Sequence, residues 1–152
     1  TVGDVVARGR CAGGTVTLYD NLCFEAWAEQ AEHFSISTRR IPDFVVTWRG
    51  NDGAARWVVL DAKYRVAGRS LAEALAELHV YRDALRMERY SSACAGALLL
   101  IPKESEDSAR WRSEKFVERF RFGCATLRPG APVAGVARRI RAWLLDEAET
   151  AP

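Results

Sequence analysis

Ile41-Pro42-Asp43-Phe44-Val45-Val46-Thr47-Trp48, then Arg49-Gly50-Asn51-Asp52-Gly53-Ala54, then Trp57-Val58-Val59-Leu60-Asp61-Ala62-Lys63-Tyr64: this stretch decides the fold. Two apolar segments, residues 41–48 and 57–64, flank a run dense in Gly, Asn and Asp. Strand formers on either side of turn formers predict a β-hairpin. With Asp52 at the centre of the turn, Asp43 and Asp61, each nine positions away, face each other. Directly opposed side chains share one side of a sheet, with Cβ atoms roughly 4.5–5.5 Å apart. Lys63 lies two residues beyond Asp61 and shares that side. A slip of one residue would turn the whole set over. Phe44, Val46, Val58 and Leu60 alternate with these charges, so the pattern predicts charge on one face and core on the other.

Outward from the hairpin, residues 71–89 carry Leu71, Leu75, Leu78 and Leu85 at helical spacing, which predicts a long helix. Residues 95–101 form a continuous apolar run closed by Pro102, as in a strand buried on both faces. Residues 103–113 are polar and read as a loop or short exposed helix. Phe116, Phe120 and Phe122 share one parity and predict a strand over 116–122. Pro129-Gly130 ends that unit. Residues 133–148 read as a terminal helix with Val136, Ile140, Trp143 and Leu144 on one stripe. Upstream, residues 15–24 have β character with a turn at Asp20-Asn21, and residues 25–34 read as a helix on weaker signals. The expected fold is α/β, an α+β domain with a mixed sheet.

The chain has 152 residues, enough for one domain with its own core. It starts at Thr1, which leads us to expect a fragment of a larger protein. No apolar run approaches the ~18 residues of a membrane span, and no signal peptide is visible. The net charge of +2 decides little. Only Lys63, Lys103 and Lys115 are lysines among 22 basic residues. Arginine suits phosphate contacts through its planar fork, although such enrichment equally reflects genome composition. Cys11, Cys23, Cys94 and Cys124 have no zinc-like spacing and read as reduced thiols of a cytoplasmic protein.

Two facing carboxylates repel, and a divalent cation between them reverses that sign. Lys63 beside a metal-bound water could orient or deprotonate it, or stabilise charge developing on phosphate oxygens. The competing structural reading is plain: an Asp after Pro is often a turn former, and Asp-x-Lys on a strand is often an exposed charged pair. Trp48 and Trp57 fall on opposite faces and suit packing better than base stacking.

Ile41-Pro42-Asp43, the hairpin and Asp61-Ala62-Lys63 together resemble the bipartite motif of the PD-(D/E)XK nuclease superfamily. Leu60-Asp61-Ala62-Lys63-Tyr64-Arg65, the helical stretch His79-Val80-Tyr81-Arg82-Asp83-Ala84-Leu85 and Leu127-Arg128-Pro129-Gly130 resemble its branch with McrC-type restriction subunits and related uncharacterised nuclease-like proteins. The resemblance runs from about Val16 to Gly130. It implies a restriction-endonuclease-like core in a single domain over residues 1–152. It implies that Asp43, Asp61 and the Ala62 carbonyl hold Mg²⁺, with Mn²⁺ able to substitute, and that Lys63 orients water. DNA is the implied substrate, in a restriction or phage-defence system, with a homodimer or a larger multisubunit complex as partner. Tyr64, Arg65, His79, Tyr81 and Arg82 are candidate substrate contacts. The superfamily's helix-borne Glu is expected upstream of the first β segment; Glu25, Glu29 and Glu32 are in-chain candidates. The alternative is a nuclease-fold module that binds nucleic acid or assembles a complex without cutting.

Overall fold

A computed structural model describes residues 3–64, 67–90 and 93–147. Its centre is a six-stranded mixed sheet in the order β1-β2-β4-β5-β7-β8. The strands are β1 (Asp4–Cys11), β2 (Gly14–Asp20), β4 (Phe44–Gly50), β5 (Ala55–Ala62), β7 (Gly96–Ile101) and β8 (Phe122–Thr126). β3 (His33–Ser35) and β6 (Leu85–Met87) form a separate antiparallel pair. The helices are α1 (Arg69–Ala84), α2 (Ala109–Arg112), α3 (Glu114–Phe120) and α4 (Ala134–Leu145). β1, β2, β4 and β5 pair antiparallel in the main sheet, β7 pairs parallel with β5, and β8 pairs parallel with β7. No helix among the described residues is long and apolar enough to cross a membrane.

The central hairpin has the expected register. Phe44 faces Leu60 and Thr47 faces Trp57, symmetric about Asp52. The turn is closed by Gly50 and Gly53: Gly50 N–H donates to Ala54 O at 2.7 Å, and Gly53 takes φ +89°. Asp52 Oδ1 accepts from Ala54 N–H at 3.0 Å, the local side-chain bond that favours Asp in turns.

Both sheet faces are core, which corrects the expectation of charge on one face and core on the other. Leu71, Leu75 and Leu78 of α1 join Val45, Trp57, Val59 and Leu99 in one cluster. Trp143 and Leu144 of α4 join Val46, Val58, Leu60 and Leu98 in the other. Each fully buried side chain of this kind contributes roughly 1.5–3 kcal/mol. Trp48 and Trp57 lie in different clusters, as their parity requires. Asp61 thus sits at the end of a buried face.

Three further expectations need correction, and one strand had not been expected at all. Residues 25–34 are not a helix. That segment is irregular, tied by a bridge between Ala26 and Ser35 and ending in β3. The helix expected over 71–89 stops at Ala84, because Leu85–Met87 pairs with His33–Ser35 and turns extended. The strand expected over 116–122 is mainly α3. Ser113 accepts from Phe116 N–H at its N-cap, and the Phe116 and Phe120 rings, one turn apart, lie 4.8 Å from each other. Finally, β1 had no clear signal. All its residues but Cys11 are exposed, and its turn puts Ala12 and Gly13 at φ +48° and +71°. Positive φ at both positions is the two-residue hairpin geometry, here with an unusual Ala.

Gly96 starts β7 directly beneath Trp143, and a Cβ there would overlap the indole of that buried residue. Gly96→Ala is expected to cost about 1–3 kcal/mol through overpacking. Urea unfolding measures this directly, and an unchanged midpoint would contradict the packing described.

Candidate active site

The carboxyl ends of the parallel strands β5 and β7 are where this topology gathers polar chemistry. Asp61 is the penultimate residue of β5 and only 2% exposed. Asp43 stands one residue before β4. Its carbonyl accepts from Asn21 N–H at 2.9 Å, and its side-chain Oδ2 accepts from Ala62 N–H at 2.8 Å. That second bond ties the Pro42-Asp43 segment to the Asp61-Ala62-Lys63 segment. Lys63 stays in line with β7, its N–H donating to Leu100 O at 3.0 Å.

Lys63 Nζ lies 2.8 Å from Asp61 Oδ2 and 2.9 Å from Glu77 Oε2. Glu77 projects from α1, the helix that crosses back over β5. Its other oxygen accepts from Tyr81 O–H at 3.1 Å, one helical turn on. The structure therefore brings together Asp43, Asp61 and Lys63, adds Glu77, and places Tyr81 against Glu77.

Burial pushes the Asp61 carboxyl above its usual value; Lys63 opposes this, while Asp43 and Glu77 add to it. Burial alone would lower the Lys63 ammonium, but Asp61 and Glu77 outweigh it and hold Lys63 charged. Burial, followed by the negative charges of Asp61 and Glu77, raises the Tyr81 phenol. The hydrogen bond from Lys63 holds Glu77 below its ordinary value near 4.5, against the effect of burial. A depressed carboxyl adds stability above its unfolded value, and that gain is lost as pH falls through the folded value. Glu77→Gln is therefore expected to flatten the acid limb of the metal-free stability curve below about pH 4.5, read from urea midpoints across pH.

Glu77 is the residue that sequence reasoning missed. Its available signal was its place in the helix after Asp61-Ala62-Lys63, four residues before Tyr81. The upstream candidates are engaged elsewhere: Glu25 pairs with Arg39 at 3.1 Å, Glu32 with Arg89, and Glu29 lines a surface hollow with Trp27. Tyr64 follows Lys63 and is 93% exposed. His79 stacks on Phe122 with ring centroids 4.0 Å apart, and Arg82 lies over the same ring. Neither joins the contacts around Lys63. Arg65 lies outside the described residues.

A large apolar groove of about 600 Å³ occupies the other sheet face, between Val46, Trp48 and Leu60 and the α4 residues Ile140 and Leu144. Size alone would nominate it as a binding site. It holds none of the clustered carboxylates, so the chemistry lies elsewhere.

Among the described residues, no three Asp, Glu, His or Cys side chains close into a metal cage. A hard divalent cation needs less, since Mg²⁺ takes one or two carboxylates and fills its shell with water and phosphate oxygens. The donor set here fits that requirement. Asp43 and Asp61 are oxygen donors, and the Asp43 charge adds to the cost of ionising Asp61, a repulsion that a cation relieves.

No curated protein and no solved structure matches the chain. The model of the PD-(D/E)XK nuclease superfamily matches residues 11–106, the span from the β1–β2 turn through β7. Nucleases of this superfamily typically use divalent metals. The match covers the Pro42-Asp43 and Asp61-Ala62-Lys63 segments, the helix that carries Glu77 and the sheet that holds them together. This chain belongs to the PD-(D/E)XK nuclease superfamily.

Proposed function

We propose that the protein is a Mg²⁺-dependent endonuclease, able to use Mn²⁺, that hydrolyses DNA phosphodiester bonds. The observation that carries this reading is the convergence of Asp43, Asp61 and Lys63, at the ends of adjacent strands, with Glu77 of α1. Asp43, Asp61 and the Ala62 carbonyl would hold the ion, and Asp43 is aimed by its bond from Ala62 N–H. Lys63, held as an ammonium between two carboxylates, orients the attacking water and neutralises charge on the phosphate oxygens. Glu77 and Tyr81 keep Lys63 in place. Once bound, a divalent ion acidifies its water and clamps the phosphate.

The motifs at His79–Leu85 and Leu127–Gly130 support a place in the McrC-like branch and a role in restriction or phage defence. Cutting both strands of a duplex calls for two such sites, so a homodimer or a larger defence complex is the proposed working form. Tyr64, exposed beside Lys63, is the proposed substrate contact among the flanking residues.

Supercoiled plasmid is the direct test. With Mg²⁺ or Mn²⁺ the protein is expected to nick or linearise it. EDTA and Asp43→Asn are each expected to reduce this to background. DNA binding without cleavage under every metal condition would instead favour a non-cutting nucleic-acid-binding module.

A further inference from the structure

Arg40 lies three residues before Asp43 and, among the described residues, has no anionic partner of its own. Its backbone is pinned on both sides: Phe24 N–H donates to Arg40 O, and Arg40 N–H donates to Phe24 O, each at 2.9 Å. Phe24 is fully buried and stacks on Trp57, so Arg40 hangs from the core. The neighbouring bond from Asn21 N–H to Asp43 O fixes Asp43 through the same strand extension. Arg40 and Asp43 are therefore held three residues apart on one rigid segment.

The Arg40 side chain is half-buried, and its Nε is buried with no hydrogen-bond partner. Among the described residues it forms no ion pair. Its neighbour Arg39 differs, since it turns to the surface and pairs with Glu25. The charge that Arg40 feels from α1 is Glu77, whose carboxylate it helps to keep ionised. Glu77 does not pair with it: its carboxylate is engaged by Lys63 and Tyr81, and no Arg40 ion pair forms among the described residues. Buried polar donors are rarely left unmade, so this half-buried guanidinium, without a partner among the described residues, can take one that binds at the site. A guanidinium offers a planar fork of five donors that matches phosphate oxygens.

The formal charges agree with this. Asp43, Asp61 and Glu77 outnumber Lys63 and Arg40 by one negative charge. A divalent ion would leave one positive charge, matching a single phosphodiester.

We propose that Arg40 is a phosphate-binding residue whose guanidinium takes a non-bridging oxygen of the nucleic-acid phosphodiester seated at Asp43, Asp61 and Lys63. This rests on the nuclease reading above and adds a fifth residue to it.

The test uses the full chain and a short DNA duplex. Cleavage is followed with Mg²⁺, and binding is followed with Ca²⁺ over a salt series, for wild type, Arg40→Ala, Arg40→Lys and Asp61→Asn. Arg40→Ala is expected to lower cleavage about 10²-fold at an unchanged thermal midpoint, with Arg40→Lys in between. Losing one phosphate contact is expected to reduce the slope of log binding constant against log salt by about 1. Added guanidinium ion is expected to restore part of the Arg40→Ala activity and none of the Asp61→Asn activity, which a structural role for Arg40 would not produce.

If wild type cuts, Asp61→Asn does not, and Arg40→Ala matches wild type in rate and salt slope, the Arg40 assignment is overturned while the nuclease reading stands. If wild type binds without cutting and Arg40→Ala still lowers the salt slope, the phosphate contact stands and hydrolysis does not. If wild type does not bind the duplex, both are overturned. Should Arg40→Ala fail to fold, Arg40→Lys decides: about a tenfold loss supports the contact, and a rate within twofold of wild type overturns it.

Discussion

Asp61→Asn is expected to remove metal-dependent cleavage, lowering the rate by at least ~10³-fold, about 4 kcal/mol of transition-state stabilisation. The substitution keeps the shape of the side chain and deletes its charge. Asn offers a neutral amide where a hard cation prefers a carboxylate. Only the 2%-exposed Asp61 changes, and its backbone ladder to Leu99 is untouched. The metal-free fold should not suffer. Burial already opposes ionisation of Asp61, with the charges of Asp43 and Glu77 adding to that opposition. A carboxyl whose folded value is raised costs stability once ionised, so removing its charge while Lys63 keeps Glu77 as a partner is neutral or stabilising. The expected signature is therefore split: activity falls to background while the urea midpoint without metal holds or rises. Cleavage by Asp61→Asn at the wild-type rate would remove Asp61 from the site.

Lys63→Met is expected to damage both properties. Cleavage should fall about 10²–10³-fold, because no other ammonium takes the same place between Asp61 and Glu77. Stability should fall by about 1–3 kcal/mol, because the buried Asp61 carboxylate loses its counter-ion. The pH dependence identifies the cause. A buried carboxyl with a raised value destabilises the fold once ionised, so stability declines as pH climbs above the unfolded value. The defect of Lys63→Met should accordingly be larger at neutral pH than near pH 4. It should also be repaired largely by adding Asp61→Asn, giving a coupling energy of about 1 kcal/mol or more in a double-mutant cycle. Additive losses would mean that Asp61 and Lys63 do not act as a pair.

Much of the site was legible because it is local. Turn chemistry at Gly50 to Ala54 sets the hairpin register, and the two-residue period of strands then puts Asp43, Asp61 and Lys63 together. The buried strand over Gly96–Ile101 was legible for a similar reason, since a continuous apolar run has few other homes. The misread segments were those with two local readings. Phe116, Phe120 and Phe122 satisfy a strand's parity, yet Phe116 and Phe120 also stand one helical turn apart. The Ser113 cap and the buried Val117 resolved the choice toward α3. Residues 85–87 continue a helical pattern, but pairing with β3 captured them.

Short-range pattern was thus enough for the hairpin, its register and the three charged residues on its two strands. Glu77 depended on something no window of sequence contains, and so did the contact that sets Tyr81, a residue the helical motif had nominated, against it. Glu77 reaches Lys63 because α1 crosses back over β5 at an angle set by packing Leu71, Leu75 and Leu78 on Val59 and Leu99. The Arg40 backbone is held by its bonds to Phe24, far from it in sequence. Side chains far apart along the chain meet only where the core brings their elements together, so the helix-borne half of the site was decided by tertiary packing.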